Sequence, residues 1–319
     1  MKVSVIGAGN VGAKAVYYIA EKNIADIVMV DVVDGLAGSK ALDFLHAAPL
    51  RGYEVRIRGT TDFGEIEGSD VVVMTAGIAR KPGMDRMDLL KTNAGIAAAA
   101  AKEIAARAPN AVVIVVTNPL DVISQVMLQE TGFALRKVVG MAGVLDSTRF
   151  RYFIAEKLGV WPGDVQAMVL GGHGDEMVPL TRYTSVGGIP LDQLMDSASV
   201  ESLVKRTRTG GAEIVSLLKT GSAFYAPGAS VAKMVEAVIK DERRLFPASA
   251  YLRGEYGYRD IYLGVPVIMG RNGVEQIVEL PLTTEERAAL DSSAEAVRKG
   301  VQELASAMGA SVSVPGTPA

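Results

Sequence analysis

The first half of the chain alternates short β-branched runs with longer alanine-rich segments. The runs predict strands at residues 2–7, 26–31, 53–59, 69–77, 111–118 and 137–142. Several of them carry apolar residues on both faces, which is typical of buried parallel strands. The intervening segments predict helices at residues 10–23, 89–109 and 120–132. This alternation predicts an α/β fold built on a doubly wound parallel sheet.

The second half has a different pattern, with helices and paired strands. Strands are predicted at 165–172, 263–270 and 273–280, the last two joined by a hairpin turn at Arg271-Asn272-Gly273. Helices are predicted from near Asp146 to Leu158, at 198–219 and at 228–240. A final helix is expected to start at a capping box of Thr283 and Glu286 and to end near Gly309.

These patterns divide the chain near residue 142. We predict a sheet domain over residues 1–142, a mixed α+β substrate domain over 143–309, and a flexible tail over 310–319. The length of 319 residues suits two ordinary domains or one large one.

Composition narrows the class of protein. Apolar residues make up 49% and charged residues 22% of the chain, which is ordinary for a folded globular protein. The net charge of −3 argues against a nucleic-acid binder. The absence of cysteine excludes disulfides and thiolate metal sites, and it fits a cytoplasmic protein. No apolar stretch reaches the roughly 18 residues of a membrane-spanning helix, and we expect neither a membrane association nor a metal.

The segment "GAGNVG" at residues 7–12 follows a predicted strand and opens a predicted helix. In that context Gly7 allows a tight turn, Gly9 lets the backbone approach a pyrophosphate, and Gly12 lets helix and strand pack closely. Asp31 ends the second strand, where a carboxylate can bind the ribose hydroxyls of NAD and repel the 2′-phosphate of NADP. These features predict a Rossmann-type NAD site; the alternative is a structural glycine turn followed by a surface aspartate.

The chain contains two histidines, His46 and His173. His46 falls in a predicted helix and is interpreted as structural. His173 lies between glycines at the end of a predicted strand, which suits proton transfer, although a plain loop histidine is the alternative. Asp146 and Arg149 share a helix face, so that Asp146 could orient an imidazole and Arg149 could clamp a carboxylate. Spacing alone leaves open a helix cap at Asp146 and a solvated Arg149.

The segment "RKPGMDR" at residues 80–86 carries two arginines around a Pro-Gly pair, directly after a predicted strand. Two fixed positive charges in one loop indicate an anionic ligand.

At these residues the chain resembles the lactate/malate dehydrogenase family, and within it the tetramer-type malate dehydrogenases that are similar to lactate dehydrogenase. The matching segments are "GAGNVG", "TAGIARKPGMDR", "VVTNPLD", "GVLDSTRFR", "GGHGDEMVP" and "GSAFYAPGAS". They occur in the family's order over almost the whole length, and as a set they are far more specific than the glycine motif alone.

The resemblance implies a role for each matched residue. His173 is the proton donor and acceptor, Asp146 orients it, and Arg149 binds the C1 carboxylate of the substrate. Arg86 polarises the reacting carbonyl from a mobile loop at 78–90. The remaining implied cofactor contacts, besides Gly7, Gly9, Gly12 and Asp31, are Asn10, Asn93 and Asn118, and Asn118 also contacts substrate. The Asn118–Pro119 bond is expected to be cis.

Within this resemblance, Arg80 is the residue that distinguishes a malate dehydrogenase from a lactate dehydrogenase. Lactate dehydrogenases of the family carry Gln at the matching position, whereas Arg suits the second carboxylate of malate or oxaloacetate. The resemblance therefore implies an NAD-dependent malate dehydrogenase of the tricarboxylic acid cycle, assembled as a homotetramer, with a dimer as the alternative. Three other functions stay open: a lactate dehydrogenase, a broader 2-hydroxy acid dehydrogenase, and a non-catalytic NAD-binding module.

Overall fold

The computed structural model of the chain describes residues 1–78 and 85–308. The strands in these ranges are β1 (Lys2–Ile6), β2 (Asp26–Val30), β3 (Ile57–Thr60), β4 (Val71–Met74), β5 (Val112–Val115), β6 (Val138–Gly140), β7 (Val165–Gln166), β8 (Val169–Leu170), β9 (Val178–Pro179), β10 (Ser185–Val186), β11 (Ile189–Pro190), β12 (Arg244–Arg253), β13 (Arg259–Gly270) and β14 (Gly273–Ile277). The helices are α1 (Asn10–Glu21), α2 (Leu36–Arg51), α3 (Arg86–Arg107), α4 (Leu120–Thr131), α5 (Gly143–Leu158), α6 (Ser197–Leu218), α7 (Tyr225–Ile239) and α8 (Thr284–Met308).

A nine-stranded sheet organises the molecule, in the order β14-β13-β12-β6-β5-β4-β1-β2-β3. The six strands from β6 to β3 pair in parallel, which confirms the predicted Rossmann-type sheet. The chain order reverses between β1 and β4, and ligands of such sheets bind at the carboxyl ends of the strands beside that reversal. Antiparallel β12, β13 and β14 extend the sheet past β6.

The continuously apolar strands are buried on both faces, as their sequences predict. In β4, Val71 and Val73 pack in a core with α1 and α7, while Val72 and Met74 pack in a second core with α3 and α4. A third apolar cluster joins α5 and α6 to the short strands between residues 165 and 190. This third cluster carries the mixed α+β part of the fold, as expected from the second half of the sequence.

Several local features of the sequence are confirmed. Gly273 has φ +88° in the turn between β13 and β14. Thr283 donates its backbone N–H to Glu286 Oε2 at 2.9 Å, and Glu286 donates its N–H to Thr283 Oγ1 at 3.2 Å, which is the capping box before α8. Gly309 and the tail at 310–319 lie outside the described residues.

Other boundaries differ from the prediction. The strand expected at 53–59 occupies only Ile57–Thr60, and the helix expected from 228 already begins at Tyr225. The strand expected at 165–172 is wrong as one element, because β7 and β8 belong to different sheets. Helix α3 begins at Arg86, three residues before the prediction, so the residues from 86 onward are helix rather than loop.

No helix within residues 1–78 and 85–308 is both long and apolar enough to cross a membrane.

A cluster of ion pairs around the buried carboxylate of Glu236 links α7 to the end of α1. Glu236 on α7 accepts hydrogen bonds from Lys22 at 2.8 Å, from Lys233 at 2.8 Å and from Lys240 at 2.9 Å. Burial on its own would raise the pKa of Glu236, but the three lysine hydrogen bonds outweigh it and lower the pKa to about 2. The cluster therefore stabilises the fold when Glu236 is ionised, above its ordinary pKa of 4.5, and this contribution is lost as pH falls towards 2.

We expect Glu236→Gln to lower the free energy of unfolding at pH 7 by about 1–3 kcal/mol, because it leaves three lysines facing a neutral amide. The difference from the unmodified protein should shrink as pH falls below about 4.5. Urea unfolding at a series of pH values measures both effects. The control is Glu103→Gln, which removes an exposed partner of Arg107 and should cost less than about 0.5 kcal/mol. Equal losses for the two variants would contradict this interpretation.

Candidate active site

The glycine turn joins β1 to α1 at the point where β1 neighbours β4. Gly7 has φ +101°, and a Cβ atom at this position would lie 2.7 Å from the backbone nitrogen of Ala76. A Cβ atom on Gly12 would lie 1.9 Å from the Gly7 carbonyl oxygen. Gly9 faces open space, with no atom within 4 Å of its Cβ direction. A side chain would therefore clash with the backbone at Gly7 and Gly12, whereas the space beside Gly9 is open for a phosphate to approach the backbone amides. This arrangement fits a dinucleotide.

Asp31 follows β2 and reaches back to this turn. Its Oδ2 accepts the Ala8 N–H at 2.6 Å, and its Oδ1 accepts the Val33 N–H at 3.0 Å. Each carboxylate oxygen keeps capacity for a second hydrogen bond, so ribose hydroxyls can still bind. Lys40 Nζ donates to the Ala8 carbonyl oxygen at 2.6 Å, a contact that the sequence did not reveal.

Three asparagines occur around the same end of the sheet. Asn10 is the exposed first residue of α1. Asn93 is buried, and its amide bonds to the Ile78 N–H at 2.8 Å, the Ile78 carbonyl at 3.2 Å and the Asn118 carbonyl at 2.8 Å. Its amide groups are therefore occupied by the chain, and Asn93 braces the backbone of Asn118. The Asn118–Pro119 bond is cis, as expected.

His173 lies against Asp146, although 27 residues separate them in sequence. The imidazole Nδ1 is 2.8 Å from Asp146 Oδ2, and Arg149 Nη1 donates to Asp146 Oδ1 at 3.3 Å. Side-chain exposure is 2% for Asp146, 12% for His173 and 14% for Arg149, so solvent screens these charges weakly. Because α5 begins at Gly143, Asp146 lies within its first turn and the alternative of a helix cap is wrong.

The electrostatics of this group favour a protonated histidine. Burial on its own lowers the pKa of the His173 imidazole, but the charge and the hydrogen bond of Asp146 outweigh burial and leave the pKa raised. Since Asp146 occupies Nδ1, the other ring nitrogen is the one available for proton exchange. Burial lowers the pKa of Arg149, although a guanidinium remains charged throughout the working pH range.

A cavity of about 260 Å³ brings these residues together. Asn118 from the end of β5 lies on one side, and Arg149 and His173 lie on the other. Helix α6 forms a further wall, and its Gly210 and Gly211 lie next to Arg149. A Cβ atom on Gly210 would lie 3.4 Å from Arg149 Cδ, and one on Gly211 would lie 3.6 Å from Arg149 Nη2. The structure therefore joins both halves of the chain at one site.

Sequence reasoning missed two residues here: Asp121, whose Oδ2 accepts the backbone N–H of His173 at 2.8 Å, and Arg208. Arg208 lines the cavity and donates from Nε to the Met177 carbonyl oxygen at 3.1 Å. Asp121 is the last residue of the matching segment "VVTNPLD", but that motif does not reveal its contacts, and no local pattern marks Arg208.

The two loop arginines are less fully described. Arg80 lies outside the described residues, and Arg86 is described only through its backbone, as the first residue of α3. Within the described residues, no group of three or more His, Asp or Glu side chains is arranged to hold a metal ion.

Known proteins that resemble this chain cover nearly its full length. Residues 1–140 match the family description "lactate/malate dehydrogenase, NAD binding domain", and residues 143–307 match "lactate/malate dehydrogenase, alpha/beta C-terminal domain". A malate dehydrogenase of Methanosarcina mazei is 55% identical over 304 residues, which cover 95% of this chain and 99% of that protein. A malate dehydrogenase of Thermomicrobium roseum is also 55% identical, over 95% of this chain and 98% of its own length.

Solved structures give the same result. A malate dehydrogenase from Salinibacter ruber superposes with a TM-score of 0.93 at 47% identity, covering 97% of this chain and 100% of its own. A lactate dehydrogenase from Cryptosporidium parvum, solved with lactic acid and nicotinamide adenine dinucleotide, superposes with a TM-score of 0.92 at 44% identity, over 95% and 97% of the two chains. The chain belongs to the lactate/malate dehydrogenase family and carries that family's NAD-binding domain.

Proposed function

We propose that the protein is an NAD-dependent malate dehydrogenase, which catalyses reversible hydride transfer between (S)-malate and NAD to give oxaloacetate and NADH. One observation carries this proposal: a buried His173–Asp146 pair with a 2.8 Å contact lies beside Arg149 in a cavity that Asn118 also lines. The malate dehydrogenases that are 55% identical to this chain support the same activity.

The cofactor would lie along the carboxyl ends of β1, β2 and β5. Gly7, Gly9 and Gly12 would hold its pyrophosphate at the start of α1, near Asn10, and Asp31 would accept hydrogen bonds from the adenosine ribose. Asn118 would contact its nicotinamide region, with Asn93 bracing the Asn118 backbone. When bound, NAD supplies the hydride acceptor, and NADH the donor.

The residues of the cavity would handle the proton and the substrate carboxylate. In malate oxidation neutral His173 takes the proton of the C2 hydroxyl, and in oxaloacetate reduction protonated His173 returns a proton to the C2 oxygen. Asp146 stabilises the imidazolium and fixes the ring through Nδ1. Arg149, held between Asp146 and α6, would bind the C1 carboxylate through two parallel hydrogen bonds.

Arg80 and Arg86 complete the proposed substrate site, on the evidence of sequence. Arg86 would polarise the reacting carbonyl, and Arg80 would bind the distal carboxylate that distinguishes a dicarboxylate such as malate from lactate. Closure of residues 78–90 over the cavity would expel water and strengthen these charge interactions.

We further propose a cytoplasmic homotetramer that acts in the tricarboxylic acid cycle, with each subunit divided into an NAD-binding domain at 1–142 and a substrate domain at 143–309. The resemblance to tetramer-type malate dehydrogenases supports this assembly. Light scattering after size-exclusion chromatography tests the assembly: a mass of four chains is expected, and a monomer would contradict it.

Asp31 predicts a cofactor preference. We expect kcat/KM with NADH to exceed that with NADPH by about 30-fold or more, because the carboxylate and a 2′-phosphate repel each other by about 2 kcal/mol or more. Asp31→Asn should reduce the preference, since it removes the charge and keeps an acceptor. Asp34→Asn, at an exposed position three residues further on, is the matched control and should leave the preference unchanged. Equal use of both cofactors by the unmodified protein would sink the assignment.

Formation of NADH from malate and NAD, followed at 340 nm, tests whether the protein is catalytic. Turnover with malate is the expected result. A protein that binds NADH but turns over neither malate nor any other 2-hydroxy acid would be a binding module, and the proposal would fail.

A further inference from the structure

A lysine from α2 contacts the backbone of the glycine turn. Lys40 lies 32 residues after Ala8 in sequence, and its Nζ donates to the Ala8 carbonyl oxygen at 2.6 Å. An ammonium group carries three donors, and within residues 1–78 and 85–308 the Ala8 oxygen is the one acceptor that Lys40 contacts. Two donors are therefore left for a ligand or for solvent. The proposed mechanism assigns this lysine no role.

The packing of α2 on β3 brings Lys40 to the turn. A Cβ atom on Gly59 of β3 would lie 2.0 Å from the Ala37 carbonyl oxygen, so the start of α2 rests directly on the strand backbone. Ala37 and Ala41 form the buried face of the helix. Lys40 precedes Ala41 and is half-buried, so its position follows from the close contact between helix and sheet.

Two side chains of opposite charge hold Ala8. Its N–H donates to Asp31 Oδ2 at 2.6 Å, and its carbonyl oxygen accepts from Lys40. The Asp31 carboxylate on its own would repel a diphosphate bound at the turn, because charges in a partly buried site are screened only weakly. The ammonium group of Lys40 offsets that negative charge within the same turn.

The contact with Lys40 also fixes the direction of the next amide. The Ala8–Gly9 peptide is trans, so the Gly9 N–H points away from the Ala8 carbonyl oxygen and from Lys40. Among the described residues this N–H has no hydrogen-bond acceptor. Gly9 directly precedes α1, at the position where the glycine motif predicts a pyrophosphate. Lys40 therefore holds an amide that a diphosphate oxygen can accept from.

We propose that Lys40 is a positioning residue for the cofactor: it holds the Ala8–Gly9 peptide so that the Gly9 amide meets the diphosphate, and its charge offsets that of Asp31. The inference rests on the proposed function, because it presumes that a dinucleotide binds at the glycine turn.

The test is the dissociation constant of NADH, measured by isothermal titration calorimetry on the full chain. Lys40→Met keeps the length of the side chain but removes its charge and its donors, so Kd should rise about 10-fold or more, as expected for loss of a charge-assisted hydrogen bond. ADP-ribose, which contains the diphosphate but no nicotinamide, should lose affinity by a similar factor. The kcat for oxaloacetate reduction at saturating NADH should not fall, because the change affects binding and not the chemical step.

Three further variants complete the test. Lys40→Arg keeps a positive charge and a donor, so its Kd should stay within about three-fold of that of the unmodified protein. Lys102→Met is the matched control, because Lys102 is exposed on α3, which packs on the opposite face of the sheet, and its Kd should not change. Lys40→Gln is also neutral and takes the place of Lys40→Met if that variant does not fold.

The outcomes separate this inference from the proposed function. An unmodified protein that binds no NADH would overturn the proposed function itself. If the unmodified protein binds NADH and turns over, an unchanged Kd in the neutral variant at position 40 would overturn the role of Lys40 alone, and so would a loss for NADH that ADP-ribose does not share. A loss that both ligands share, that Lys40→Arg restores and that Lys102→Met lacks supports the role.

Discussion

Replacing His173 by Ala is expected to lower kcat for oxaloacetate reduction by about 10²- to 10⁴-fold, the usual contribution of a positioned general acid or base. This fall is expected because the His173 imidazole lies in the cavity, contacts Asp146 at 2.8 Å and has a raised pKa. The KM for NADH should change little, since the cofactor is expected to bind at the glycine turn and Asp31. Steady-state kinetics with purified protein measures both constants.

His46 provides the matched control. It is exposed on α2, and His46→Ala removes the second histidine of the chain without touching the cavity. Its kcat should equal that of the unmodified protein. Near-normal turnover by His173→Ala would refute the assignment of the proton donor, whatever the control shows.

Replacing Arg80 by Gln should lower the ratio of kcat/KM for oxaloacetate to that for pyruvate by about 30-fold or more, because loss of one partner of a desolvated charge pair costs about 2–5 kcal/mol. The substitution should weaken the reaction of oxaloacetate and improve the reaction of pyruvate. Oxaloacetate would lose its partner for the distal carboxylate, and pyruvate binding would no longer leave a positive charge of the proposed site without an anion.

Lys81→Gln is the control for Arg80, because it removes one positive charge from the same segment. A purely long-range attraction for a dianion would respond about equally to both variants and would weaken at high salt. A change confined to Arg80→Gln and retained at high salt indicates direct contact. An unchanged ratio in Arg80→Gln would mean that another residue selects the substrate.

Local patterns in the sequence predicted the parallel half of the fold well. Strands such as Val71–Met74 are apolar throughout, and they are buried on both faces because helices cover the sheet on both sides. The glycine turn was predictable because its motif is local, although the close approach of Gly7 to Ala76 is a property of the fold. The cis bond at Asn118–Pro119 followed from the resemblance rather than from a local pattern.

Strand β12 was not predicted, because its residues do not favour a strand in isolation. Arg244–Arg253 contains Pro247 and several small residues, and proline is normally a signal against a central strand. In the structure Pro247 stands opposite Pro266 of β13, so the long antiparallel partner determines the conformation. Such tertiary determination is invisible to a reading of local propensity.

The site likewise contains residues that the sequence identified and contacts that only the fold reveals. The residue types and their motifs singled out His173, Asp146 and Arg149, but only the fold places the imidazole against Asp146. Asp121 could not be assigned from sequence, since its partners His173 and Ser249 lie 52 and 128 residues further along the chain.

The central claim is most directly tested by following NADH oxidation at 340 nm with oxaloacetate and with pyruvate, side by side, under the same conditions. The account predicts a large preference for oxaloacetate in kcat/KM, as expected for a site with arginines for both carboxylates. A preference for pyruvate would leave the fold and the His173–Asp146–Arg149 group in place but contradict the assignment of the protein as a malate dehydrogenase.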